Sequence, residues 1–117
     1  MPILVVDDDS AIREFVEMAL RDEGYDVMVA NDGLVALNIV KQSQVHLILL
    51  DMRMPVMDGW AFLNAYQQQV PVPRAPVIAF SANNRAISET TGDVVEFIPK
   101  PFDLNKLLDD VKKHAFS

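Results

Sequence analysis

The sequence predicts an α/β fold: a doubly wound parallel sheet covered by helices on both faces. Two observations predict it. Short β-branched or leucine-rich runs alternate with stretches of helical spacing, and the run at 47–50 is apolar throughout. A strand without polar positions is buried on both faces, which is typical of a parallel sheet between helical layers. Since ligands of such folds bind at the carboxyl ends of the strands, the site should lie where the apolar runs end.

Five apolar runs are the predicted strands, at residues 3–6, 27–30, 45–50, 77–80 and 94–98. Runs this short and rich in Val, Ile and Leu favour strands over helices. The stretches between and after them carry helical spacing, so strand and helix alternate five times. No repeat or low-complexity segment interrupts this pattern, and the proline-rich piece at 67–76 reads as a surface loop.

The first predicted helix has an apolar stripe at the i, i+3, i+4, i+7 and i+8 positions, formed by Ile12, Phe15, Val16, Ala19 and Leu20. Such a stripe indicates a helix packed on a core. Ser10 is the predicted cap at its start, and Gly24 the predicted end.

Three later stretches repeat the stripe with fewer residues: Leu34, Leu37 and Val40; Phe62, Leu63 and Tyr66; and Leu104, Leu107, Leu108 and Val111, the last after a predicted cap at Asp103. The segment at 83–91 is different, because only Ala86 and Ile87 are apolar there. We therefore expect the helix between the fourth and fifth strands to be short or irregular.

Length and composition narrow the class of protein. The 117 residues predict one domain over 1–117, and 17 acidic against 10 basic residues disfavour direct nucleic-acid binding. Without cysteine there is no disulfide framework or thiolate zinc site, which fits a reducing compartment, so we expect a cytoplasmic protein. No apolar run approaches the roughly 20 residues of a membrane helix, so no membrane partner is expected.

Acidic side chains follow two of the predicted strands. Asp7, Asp8 and Asp9 come directly after the first, and Asp51 after the third. Two such charges about 5 Å apart repel by roughly 3 kcal/mol at an effective dielectric near 20, so a cation is needed there. Carboxylate oxygens suit Mg²⁺. For Asp9 and Ser10 a different interpretation stays open, in which they only cap the following helix.

A hydroxyl and an ammonium follow the last two strands. Ser81 ends the fourth, and Lys100 comes after the fifth between two prolines. A lysine supplies a compact charge that suits phosphate, and a hydroxyl donates to a phosphoryl oxygen. Together with the acids and Mg²⁺, these groups describe an in-line phosphoryl transfer to Asp51.

Three motifs in this order carry a resemblance: ILVVDDD at 3–9, LLDMRMPVMDG at 49–59 and PKPF at 99–102. Through them the chain resembles the receiver domain of two-component response regulators over essentially its whole length. The resemblance implies a flavodoxin-like, five-stranded parallel sheet with strand order 2-1-3-4-5 and helices on both faces.

The resemblance also implies roles for the site residues. Asp51 would be the phosphoacceptor. Asp8, Asp51 and the backbone carbonyl of Arg53 would bind Mg²⁺, and Asp7 would hold metal-bound water. Lys100 would pair with the acceptor carboxylate or with its phosphoryl group.

A switch is implied as well. The Ser81 hydroxyl would move toward the phosphoryl oxygen, and the Phe97 ring would turn inward behind it. Arg53 and Asn83 would tune the lifetime of the phosphate. The bond between Lys100 and Pro101 would be cis.

The implied function is a signalling receiver that catalyses only its own phosphorylation and dephosphorylation. A histidine kinase or histidine phosphotransfer protein would supply the phosphoryl group, and a downstream effector protein or domain would read the switch, with a phosphorylation-dependent dimer as a further option. Only 18 residues separate Ser81 from Lys100, fewer than is usual in the family. The family's dimerisation through the helix between the fourth and fifth strands is therefore not expected to carry over.

Two other classes stay open. A Mg²⁺-dependent phosphatase or phosphotransferase of the haloacid dehalogenase type also forms an aspartyl-phosphate, but such enzymes carry a second aspartate two residues after the nucleophile, where this chain has Arg53. A binding module with vestigial acids is disfavoured because the acceptor, metal acids, hydroxyl and lysine are all present. Turnover of a phosphate ester would identify the first class, and absence of acid-labile phosphate the second.

Overall fold

A computed structural model of the chain describes residues 2–81 and 92–115, with the side chain of Ser81 outside the description. The described strands are β1 (Pro2–Val6), β2 (Asp26–Ala30), β3 (Leu47–Asp51), β4 (Val77–Ser81) and β5 (Val94–Pro99). The described helices are α1 (Ser10–Asp22), α2 (Gly33–Gln42), α3 (Gly59–Gln69) and α4 (Leu104–Ala115). The short helix predicted between the fourth and fifth strands falls at 83–91, outside the described residues.

The five strands form one parallel sheet in the order β2-β1-β3-β4-β5, which confirms the predicted doubly wound topology. The register aligns the ends of the strands. Asp51 lies opposite Phe80, and Ser81 lies opposite Pro99. Residues that follow the central strands therefore meet at one end of the sheet, called here the carboxyl end.

Two apolar layers enclose the sheet. One packs under α1 and α4, and the other under α2 and α3. All five residues of β3 are buried, as the apolar run predicts for a central strand covered on both faces. Among the described helices, none is long and apolar enough to cross a membrane.

For α1 the structure decides between the two predicted capping residues. Asp9 is the cap, because its carboxylate accepts hydrogen bonds from the backbone N–H groups of Ala11 and Ile12 at 3.0 and 3.3 Å, whereas Ser10 is the first residue of the helix. The predicted burial of two helix residues was wrong. Phe15 and Leu34, predicted to lie in the core, are 52% and 47% exposed. Each is at the margin of its stripe, where helical spacing does not distinguish a buried position from a half-exposed one.

The opposite end of the sheet, called here the amino end, is tied by Arg74. Its Nε donates to both carboxylate oxygens of Asp93, at 3.2 and 3.0 Å, and its Nη1 donates to the carbonyl of Val70 at 3.1 Å. The buried Tyr66 hydroxyl donates to the carbonyl of Ala75 at 2.9 Å. These contacts fix the end of α3 and the entry into β4 and β5.

Candidate functional site

The carboxyl ends of β1, β3 and β5 bring three charged side chains together. The Lys100 ammonium lies 3.3 Å from Oδ2 of Asp7 and 3.3 Å from Oδ2 of Asp51. These three residues are far apart in the sequence, and the order and alignment of the strands in the sheet bring their side chains into contact. The structure thus places the predicted lysine between two of the predicted acids.

Asp8 completes an acidic cluster. Carboxylate oxygens of Asp7, Asp8 and Asp51 all lie within 4.8 Å of one another. Asp7 is 1% and Asp51 4% exposed, whereas Asp8 faces solvent. Three hard oxygen donors with one open side are the ligand set of a divalent cation that keeps several waters, so the cluster fits Mg²⁺.

The electrostatics agree with that fit. Burial raises the pKa of the Asp51 carboxyl, and the charge of Asp7 raises it further, while the Arg53 N–H and Lys100 act in the opposite direction without cancelling the rise. At Asp51, burial and the charge of Asp7 thus outweigh the Lys100 ammonium and the Arg53 N–H, and by formal charge two buried carboxylates face one ammonium. A bound cation would restore the balance.

Each buried acid has one oxygen fixed by the backbone. Oδ1 of Asp7 accepts from the N–H of Asp9 at 2.9 Å, and Oδ1 of Asp51 accepts from the N–H of Arg53 at 3.1 Å. The Oδ2 atoms are the ones that meet Lys100. The side chains are consequently held in place before any ligand arrives.

Arg13 is a site neighbour that the sequence analysis missed. Its Nη1 donates to the backbone carbonyl of Asp7 at 2.8 Å, which fixes the peptide leading into Asp8. The only available signal was its position on the first turn of α1, directly after the acidic segment. An arginine at that position without any contact to the site would give the same sequence pattern, so the sequence alone could not identify this role.

The loop from Asp51 to α3 is compact. The Gly59 N–H donates to the carbonyl of Met52 at 3.2 Å, and the Met57 N–H donates to the carbonyl of Pro55 at 2.8 Å. Met52 and Met54 are buried and Met57 packs beside them, so these methionines belong to the core layer under α2 and α3. Arg53, whose side chain is exposed, lies within this loop.

The predicted switch residues are only partly described. Phe97 lies on β5 opposite Ala79 and is half-buried against the layer under α2 and α3. Ser81 ends β4 beside the site, but its side chain lies outside the described residues, as does all of Asn83. The bond between Lys100 and Pro101 is cis, as predicted.

An open apolar cleft of about 430 Å³ lies beside the acidic cluster. Ile12 and Phe15 of α1 form one wall, and Lys100, Pro101 and Phe102 form the other. The exposed Phe15 is therefore part of a concave surface next to the site. Helical spacing alone did not indicate this cleft, because its second wall comes from the far end of the chain.

Comparison with known proteins gives one family. The model of the response regulator receiver domain matches residues 3–112. Response regulator MprA of Mycobacterium leprae is 33% identical over 96% of this chain and 50% of its own length, and protein PilG of Pseudomonas aeruginosa is 29% identical over 98% and 87%. The chain spans about half the length of several curated relatives that it matches.

Solved structures agree in fold. Response regulator TrrA of Thermotoga maritima, solved in complex with Mg²⁺ and BeF, is 30% identical and superposes with a TM-score of 0.84 over 96% of both chains. The receiver domain of sensor histidine kinase PA1611 of Pseudomonas aeruginosa, which has a magnesium ion coordinated in its active site cleft, is 29% identical with a TM-score of 0.84 over 99% and 98%.

Proposed function

This chain belongs to the response regulator receiver domain family, and we propose that it is a switch which accepts a phosphoryl group on Asp51. Receiver domains are signalling modules of two-component systems. The observation that carries the proposal is the position of the Lys100 ammonium, 3.3 Å from both Asp51 and Asp7, beside the exposed Asp8.

Four residues would hold Mg²⁺: Asp7 through metal-bound water, Asp8 and Asp51 through carboxylates, and Arg53 through its backbone carbonyl. The bound ion would neutralise negative charge on the phosphoryl group as it transfers. The clustered carboxylate oxygens and the raised pKa of Asp51, caused first by burial, support this assignment.

The transfer itself uses the acceptor carboxylate. An Asp51 oxygen forms a bond to phosphorus while the bond from phosphorus to the donor nitrogen breaks, and that electron pair stays on the nitrogen. Lys100 lies beside the acceptor and stabilises the charge on the phosphoryl oxygens. The Arg53 N–H keeps the other carboxylate oxygen in place during the step.

Phosphorylation would then change the output surface through Ser81 and Phe97. The new phosphoryl oxygens accept a hydrogen bond from the Ser81 hydroxyl, and the Phe97 ring turns into the space behind it. Such a local electrostatic event can bias a surface between two arrangements. Phe97 is only partly buried, so its ring is not fixed on all sides by the core, which supports a role in this change. Arg53 and Asn83 would set the phosphate lifetime.

The donor would be a histidine kinase or a histidine phosphotransfer protein. Ile12, Phe15 and Phe102 form an apolar cleft that borders Lys100, so a protein packed there would bring its phosphorylated imidazole to the acceptor. Phe15 is 52% exposed, which leaves apolar area available for such a partner.

Labelling with acetyl phosphate and Mg²⁺ tests the proposal. The wild-type protein should gain one acid-labile phosphate, and Asp51→Asn should gain none, because the amide is not a nucleophile of this kind. Asp58→Asn is the matched control: it makes the same change seven positions later, at an exposed cap of α3, and should label normally. Equal labelling of wild type and Asp51→Asn would refute the acceptor. Steady turnover of p-nitrophenyl phosphate would instead indicate the phosphatase class.

A further inference from the structure

The first residue of α2 presses on the loop that follows Asp51. A Cβ atom added at Gly33 would lie 2.5 Å from the carbonyl oxygen of Met57 and 2.8 Å from its Cγ. Carbon and carbonyl oxygen do not approach that closely, so only glycine permits this contact. Space, and not a positive φ, is what requires glycine here.

Met57 in turn closes a tight turn. Its N–H bonds to the carbonyl of Pro55, two residues back, and Val56 between them has a φ of 69°. A positive φ is costly for a β-branched residue, and a three-residue turn of this hand is rare and strained. Val56 is 81% exposed, so its own side chain gains no burial that offsets the cost. Such strain persists where surrounding structure holds it, and the contact with Gly33 supplies that hold.

The other end of the same loop is also closed. The Gly59 N–H bonds to the carbonyl of Met52, and a Cβ at Gly59 would lie 2.6 Å from Cα of Met52. Arg53 lies between these two fixed points, and its N–H donates to Asp51. A displacement at Met57 would therefore act on a loop that is closed at both ends and that includes the backbone of Arg53.

We propose that Gly33 is a positioning residue of the metal site. It acts through Met57 and the turn at Val56 on the backbone of Arg53, which orients Asp51 by its N–H and supplies a carbonyl ligand. The inference rests on the proposed function, because that carbonyl is a ligand only if Mg²⁺ binds as proposed. The inference makes α2, which contributes no carboxylate to the acidic cluster, one of the elements that set the affinity for Mg²⁺.

Isothermal titration with MgCl₂ tests this on three proteins: wild type, Gly33→Ala and the control Gly24→Ala. Gly24 has a φ of 92° with open space around it, so alanine there strains the backbone at the far end of α1, away from the site. We expect Gly33→Ala to weaken Mg²⁺ binding about tenfold or more, the size typical of groups that orient metal ligands. Gly24→Ala should lower the melting temperature and leave the dissociation constant within about twofold of wild type.

A folded Gly33→Ala protein with wild-type Mg²⁺ affinity would overturn the inference, and so would equal weakening in both glycine variants. A wild-type protein that binds no Mg²⁺ would refute the proposed function instead. If Gly33→Ala does not fold, Val56→Pro tests the same turn. Proline fixes φ near −65°, in place of the observed 69°, at an exposed position. Weakened Mg²⁺ binding with a cooperative melt then supports the inference, and unchanged affinity overturns it.

Discussion

The two ends of the sheet differ in how the charges of their partly buried side chains are compensated. At the amino end the Arg74 guanidinium meets both oxygens of Asp93 and also caps α3, so charge and hydrogen bonding are matched. At the carboxyl end one ammonium, that of Lys100, faces the buried acids Asp7 and Asp51. Both ends have partly buried ion pairs, but only one is balanced.

This difference in charge compensation distinguishes the end of the sheet that contributes to stability from the end that is suited to bind a ligand. A matched ion pair leaves no buried charge without compensation and needs no ligand, whereas an excess of buried carboxylate raises the free energy of the free protein and favours binding of a cation. The pKa of Asp51, raised chiefly by burial, marks the unbalanced end. Substitutions at the two ends should therefore have effects of opposite sign on stability.

The largest effect is expected from Arg74→Met. The change removes the ion pair with Asp93, whose side chain is only 15% exposed, and removes a donor to the end of α3. We expect the free energy of unfolding to fall by about 3 kcal/mol, measured by urea denaturation. Arg53→Met, the same substitution at an exposed position, should change it by less than about 0.5 kcal/mol. Similar losses in both variants would contradict the contrast between the two ends.

A pH-dependent loss of stability should come from Tyr66 at the amino end. Burial, followed by the charge of Asp93, raises the pKa of Tyr66 to about 12 from an ordinary 10.0. The unfolded chain therefore ionises before the folded one, so this stability is complete below pH 10 and is lost as the pH rises toward 12, by about 2–3 kcal/mol. Chemical unfolding of wild type and Tyr66→Phe over that range isolates the effect. Parallel pH profiles for the two proteins would exclude it.

The carboxyl end should respond to Asp51→Asn in the other direction. Removing one of two uncompensated carboxylates should raise the free energy of unfolding in EDTA by about 1 kcal/mol. The same variant should lose the rise in melting temperature that Mg²⁺ gives to the wild type. Thermal melts with EDTA and with MgCl₂ measure both effects, with Asp58→Asn as the control. A destabilised Asp51→Asn protein in EDTA would show that the site is balanced without metal.

The smallest effect is expected from Val56→Gly. Glycine adopts a φ of 69° without steric cost, but it also gains freedom in the unfolded chain, so the net stabilisation should be at most about 1 kcal/mol. Urea denaturation of Val56→Gly beside Val95→Gly, at a second exposed valine on β5, measures it. A loss of stability as large as that of the β5 variant would mean that the turn carries no strain.

The sequence alone predicted most of the fold, because its signals are local. Alternating apolar runs and helical stripes indicated the five strands, and the uniform run of β3 indicated burial on both faces. The acids, the hydroxyl and the lysine were predicted because they directly follow strands whose carboxyl ends share one end of the sheet. Mg²⁺ followed from the ligand chemistry of carboxylates.

Features made by distant parts of the chain could not be predicted in this way. The contact of Gly33 with Met57 depends on how α2 packs against the loop between β3 and α3, and no residue spacing in the sequence predicts that packing. The cleft beside Lys100 combines Phe15 with residues near 100, so Phe15 was placed in the core. The sequence could not decide which of Asp9 and Ser10 caps α1, since both are good capping residues, and the structure shows that it is Asp9.

The ion pair between Lys100 and Asp7 joins residues 93 positions apart. Contacts of such long sequence separation form late, and the amino-terminal part of a protein leaves the ribosome first. A nascent chain that has not yet released β5 therefore carries the Asp51 carboxylate without its ammonium partner. Under the proposed function, phosphate incorporation at Asp51 should consequently require a chain that has been synthesised at least through Lys100 and has folded, which makes the labelling reaction a measure of how far this domain has folded.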